Sequence, residues 1–148
     1  MKLRRSAGSA PVIRAGGKAF ALGLMLAASM FSAAALAADE PLAAAQLIQR
    51  QQADQAPILL DVRRVDEYHD GHIAGALNIP VEQLAARYTA LGVPRDQEIV
   101  VYCVSGRRAA RAQEMLQAQG YSHVRLLDGS INAWRQQELP LVREGATP

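Results

Sequence analysis

Four short apolar runs alternate along the chain with amphipathic segments, and this alternation constrains the fold more than any single residue does. The runs are Ile58 to Val62, Ala76 to Ile79, Glu98 to Cys103 and Val124 to Leu127. Each is too short for a helix and is bounded by proline, glycine or charged residues, as buried strands are. Leu42 to Ala53, Val81 to Leu91, Gly106 to Gln119 and Ile131 to Gln137 carry helical spacing instead, and Val65 to Asp70 has room for one further turn. Asp39 stands where a cap for the first of these helices is expected, and Gly92 and Gly120 close the second and third. Strands separated by helices pair in parallel through crossovers. The expected fold class is therefore α/β, one domain with a mainly parallel central sheet and helices on both faces. Ligands of such sheets bind at the carboxyl ends of the strands. Cys103 stands at that end of the clearest strand, EIVVYC.

Residues 1–37 read as an export signal rather than as fold. Lys2, Arg4, Arg5, Arg14 and Lys18 precede the apolar stretch FALGLMLAASMF, and Ala35 to Ala37 end in the small-residue pattern of a cleavage site. The alternative is an uncleaved anchor over Ala19 to Ala38, about the 20 residues that a bilayer requires. Removing residues 1–37 takes five basic residues and no acidic ones, leaving 11 Lys and Arg against 14 Asp and Glu. The formal charge moves from +2 to −3, which argues against a nucleic-acid partner or a lasting attachment to an anionic membrane. The expected product is a monomeric periplasmic domain, residues 38–148. In that compartment cysteines that can pair are oxidised, yet this chain has one cysteine and no internal partner for it.

A lone cysteine is often a small buried hydrophobe. Its neighbours argue otherwise. A strand ending at Cys103 and a helix beginning near Gly106 leave a tight turn, in which the amides of Val104, Ser105, Gly106, Arg107 and Arg108 point inward as an anion cradle. Gly106 suits the bend, and Ser105 is a candidate cap for the helix. The helix N-terminus with Arg107 and Arg108 favours a thiolate, the nucleophilic form, without a histidine base.

The loop CVSGRRA, Cys103 to Ala109, resembles the active-site loop of the rhodanese sulfurtransferases: Cys, two residues, Gly, one residue, then Arg. DVRRVDEYHDGHIAGALNIP, Asp61 to Pro80, is similar to the N-terminal signature of that family, and GYSHVRLLDGSINAW, Gly120 to Trp134, to its C-terminal block. The resemblance runs from about Leu42 to Leu141, and a signal followed by one such domain is like the small periplasmic rhodaneses of the phage-shock type. Two positions depart from the pattern. Ser130 stands where the family often has a second glycine, and Glu138 where a glycine often precedes Leu-Pro.

The resemblance implies a rhodanese-like domain in which Cys103 takes the outer sulfur of a small anionic donor such as thiosulfate. Cys103 would carry it as a persulfide and pass it to a thiophilic or thiol acceptor such as cyanide. Val104, Ser105, Gly106, Arg107 and Arg108 would bind the donor, with no metal or organic cofactor. Asp61, Arg63 and Glu67 would form a charge network that supports the loop, and Arg108 either meets the donor or pairs with Asp61 or Glu67. His72 is structural in the signature, Arg111 reads as a solvated position and Trp134 as core. A phosphatase or arsenate reductase is disfavoured because four residues separate Cys103 from Arg108 where those loops have five. A noncatalytic partner-binding module and a protein-to-protein sulfur relay are the remaining alternatives.

Overall fold

The computed structural model describes residues 40–143, so the export segment expected over residues 1–37 and the proposed Asp39 cap lie outside the described residues. The elements follow in the order α1 (Ala44–Gln52), β1 (Ile58–Asp61), α2 (Val65–His69), β2 (Leu77–Asn78), α3 (Val81–Arg87), β3 (Ile99–Tyr102), α4 (Arg107–Ala118), β4 (Val124–Leu126) and α5 (Ser130–Gln136). A 3-10 turn, Tyr88–Leu91, continues α3 to Gly92, whose φ of +63° ends it.

The strands form one parallel sheet in the order β2-β1-β3-β4. Residues Ile58 to Asp61 of β1 lie opposite Ile99 to Tyr102 of β3, and Ile99 in turn lies opposite Val124. Successive side chains of a strand point to opposite faces, and the burial pattern follows this closely. Leu60, Val62, Ile99, Val101 and Cys103 pack with Leu84 of α3 and with Ala109, Ala112 and Leu116 of α4. Leu59, Val100 and Tyr102 face the other way, onto Leu47 of α1 and Ile131 and Trp134 of α5. All four residues of β3 are buried, as expected of a central strand covered on both sides.

The first helix is shorter than its apolar spacing predicts. Leu42 forms a parallel bridge with Leu127: its amide donates to Leu126 O at 2.7 Å and its carbonyl accepts from Asp128 N at 2.9 Å. Pairing beside β4 requires extended backbone, so α1 begins only at Ala44. Gln46 Oε1 accepts from the Ala43 amide at 3.3 Å in place of a conventional cap. At the amino end of the sheet, Glu98 meets Arg50 at 3.0 Å and Arg125 at 3.3 Å, tying α1 to the sheet.

Two glycines with nearly the same backbone angle differ in their surroundings. A Cβ at Gly129, φ +61°, would stand 2.4 Å from Ala133 Cβ, whereas one at Gly92, φ +63°, meets nothing within 4 Å. Gly92→Ala is expected to cost about 1 kcal/mol, the left-handed penalty alone. Gly129→Ala adds an overlap and is expected to cost about 2–4 kcal/mol. Urea unfolding of both variants measures the difference.

Candidate active site

Cys103 follows the last residue of the central strand and is 1% exposed. The chain then turns within Val104, Ser105 and Gly106 into α4. Gly106 makes the turn at φ +99°, a left-handed angle that costs glycine little. Its amide thereby aims back into the loop and donates to Cys103 Sγ at 3.2 Å. The first helical bond of α4 runs from Ala110 N to Gly106 O at 2.8 Å. Among the described residues no acceptor meets the N–H groups of Val104, Ser105, Arg107, Arg108 and Ala109. Unpaired amides at the start of a helix favour negative charge nearby.

Each residue anticipated from the sequence can now be placed. Ser105 is not the helix cap: it is exposed, Gly106 occupies that position, and the cap makes no side-chain hydrogen bond. Arg107 is exposed and, among the described residues, has no carboxylate partner. Arg108 turns back to α2. Its Nη1 and Nη2 donate to the two oxygens of Glu67 at 2.7 and 2.9 Å, the fork geometry that fixes a guanidinium most firmly. The Glu67 hydrogen bonds raise the Arg108 pKa above its usual value, and the Cys103 sulfur adds to this effect.

Asp61, Arg63 and Glu67, expected as one network, instead belong to two separate pairs. Asp61 and Arg63 are 0% and 1% exposed and bind one another through Arg63 Nε at 3.0 Å and Nη2 at 2.6 Å. Nη2 also donates to Gly71 O at 2.9 Å. Burial disfavours the Arg63 charge, but its hydrogen bond and attraction to Asp61 outweigh this and hold its pKa above the ordinary value. This pair fastens the corner between β1 and α2. Its geometry follows from spacing, because Arg63 is two residues beyond Asp61 and folds back on it.

Glu67 belongs to the loop side. Besides Arg108 it accepts from the Arg64 amide at 3.0 Å, and Arg64 Nε lies 3.8 Å away. Arg64 was not singled out in the sequence, although its place three residues before Glu67 at the start of a helix is the spacing of a capping carboxylate. A second unanticipated contact comes from α5. Ile131 N and Asn132 N donate to Cys103 O and Val104 O at 3.1 Å each, and Ser130 Oγ accepts from Cys103 N at 3.4 Å. His72 is buried; it stacks on Tyr68 at 3.7 Å and its Nδ1 lies 3.0 Å from Tyr68 O. Trp134 is core, with Nε1 donating to Pro140 O at 2.9 Å.

The Arg108 hydrogen bonds hold Glu67 down from 4.5 to about 2, against the opposing effect of burial. A carboxylate with a depressed pKa contributes stability above its unfolded pKa, and this is lost as pH falls through the folded value. The Glu67 contribution is therefore expected to disappear between about pH 4.5 and about pH 2. Glu67→Gln should flatten the acid limb of the stability curve within that window. Urea midpoints of both proteins from pH 6 downward measure this.

The family model of the Rhodanese-like domain matches residues 43–137. A sulfurtransferase of Allochromatium vinosum is 36% identical over 96 residues, covering 65% of this chain and 88% of that protein. The thiosulfate sulfurtransferase PspE of Escherichia coli is 35% identical over 65 residues, covering 44% of this chain and 62% of that protein, less than two thirds of its length. Among solved structures, a human single-domain sulfurtransferase, TSTD1, superposes with a TM-score of 0.59 at 28% identity, covering 66% of this chain and 96% of that one.

Proposed function

Since the chain belongs to the Rhodanese-like domain family, we propose that it transfers sulfane sulfur from a small anionic donor such as thiosulfate, with Cys103 as the sulfur-carrying nucleophile. The observation that carries this reading is the Gly106 amide directed at Cys103 Sγ at 3.2 Å, within a turn whose other amides are free. A sulfur atom attached to Cys103 extends the side chain within the turn that carries these donors. A negative charge there is met by preorganised N–H dipoles that need no rearrangement.

The reaction balances without a proton or a cofactor. The Cys103 thiolate attacks the outer sulfur of thiosulfate, the S–S bond of the donor breaks, and sulfite leaves with the bonding pair. Cys103 is then a persulfide anion. A nucleophilic acceptor such as cyanide bonds to the outer sulfur, the Cys103 S–S bond breaks, and the thiolate returns with thiocyanate as product. One charge resides on the sulfur throughout, so the same amides serve both half-reactions.

The two arginines of the loop take different parts. Arg108, bound by Glu67, is a fixed charge at the start of the loop helix, and its side chain has little freedom to follow a substrate. Arg107 stands exposed at the next position and is the cation that receives the sulfonate end of the donor. Attraction between an exposed arginine and a dianion is screened by salt. Arg107→Ala is expected to raise the thiosulfate KM about three- to tenfold, with a smaller change in kcat and a weaker dependence on ionic strength. Cys103→Ser should lower thiocyanate formation by at least about a thousandfold while the fold persists. Steady-state kinetics with circular dichroism test both, and undiminished turnover in Cys103→Ser would refute the assignment.

A further inference from the structure

Helix α5 begins beneath the loop with a residue that its backbone does not favour. Ser130 has φ +53° and is 1% exposed. Left-handed backbone is unfavourable for any residue with a Cβ, and glycine would occupy this position without strain. What the serine adds is its hydroxyl. Ser130 Oγ accepts from the Cys103 amide at 3.4 Å, and it lies 3.9 Å from the point that a Cβ on Gly106 would occupy. It therefore sits under both ends of the turn, the residue that bears the sulfur and the residue whose amide faces it.

Three successive residues of α5 grip the start of the loop. Ser130 takes the Cys103 N–H, Ile131 donates to Cys103 O at 3.1 Å and Asn132 donates to Val104 O at 3.1 Å. Both polar groups of the Cys103 backbone are thus fixed by the same turn of helix. Without the hydroxyl, the Cys103 amide is a buried donor with no acceptor, and the local backbone must move to find one.

We propose that Ser130 is a positioning residue for sulfur transfer. Its hydroxyl fixes the Cys103 peptide plane, and thereby holds Sγ in register with the Gly106 amide. This rests on Cys103 being the sulfur-carrying nucleophile, but its test reads the thiol and not turnover.

Two substitutions separate the hydroxyl from the backbone. Ser130→Ala removes the hydroxyl and keeps the unfavourable left-handed angle, whereas Ser130→Gly removes the hydroxyl and accepts the angle, so that it folds even if the alanine variant does not. Alkylation of Cys103 by iodoacetamide, measured across pH on the folded proteins, is the readout. Both variants are expected to show a profile displaced to higher pH by about half to one unit, so that the rate at neutral pH falls about three- to tenfold. A wild-type profile in folded Ser130→Gly would overturn the proposal. A displacement in Ser130→Ala that glycine abolishes would overturn it too, by assigning the effect to backbone strain. Failure of wild-type protein to take sulfur from thiosulfate would remove the proposed donor while leaving the alkylation comparison to stand or fall on its own.

Discussion

The Gly106 amide held on the buried Cys103 sulfur, in a turn whose other N–H groups meet no acceptor among the described residues, is the interaction on which the rest of the structure depends. A turn that holds one amide on the sulfur needs support from outside itself. Parallel pairing of β3 with β1 and β4 fixes the strand that delivers Cys103. The left-handed Gly106 turns its amide onto Sγ, and α4 begins at once. From below, α5 holds the Cys103 and Val104 backbone by three hydrogen bonds.

Two ion pairs brace this arrangement in different ways. Asp61–Arg63 is wholly buried at the carboxyl end of β1, and Asn78 Nδ2 binds the carbonyls of both residues at 3.0 and 3.1 Å. A buried charge pair is weak evidence of net stabilisation, so geometry is the better account of its presence. It ties β1, β2 and the Gly71 corner together and sets where α2 begins. Glu67–Arg108 lies nearer the surface, with side chains 22% and 29% exposed, and joins α2 to the loop helix. The first pair positions α2, and α2 then positions the carboxylate that holds Arg108 at the start of the loop helix.

Much of this was legible in the sequence because it depends on periodicity and on residues with narrow conformational preferences. The alternation of apolar runs and amphipathic segments predicts the parallel sheet, and the Cys-x-x-Gly spacing predicts the turn. Less legible were features decided by contacts between distant segments. Leu42 has helical spacing with its neighbours, but a bridge to Leu127 keeps it extended. Asp61, Arg63 and Glu67 read as one network because all three are charged and close in sequence. The structure divides them because Arg63 folds back on Asp61, while Glu67, on the following helix, faces Arg108. Ser130 was visible only as a departure from a glycine. Its proximity to Cys103 across 27 residues has no local signal at all.

In the proposed cycle Cys103 alternates between thiolate and persulfide beside the Gly106 amide. Mass measurement of the intact protein, before thiosulfate, after it and again after cyanide, tests that most directly. The expected result is a gain of one sulfur atom, located on the peptide containing Cys103, that cyanide removes with release of one equivalent of thiocyanate. No gain of mass under conditions in which Cys103 still alkylates freely would contradict it.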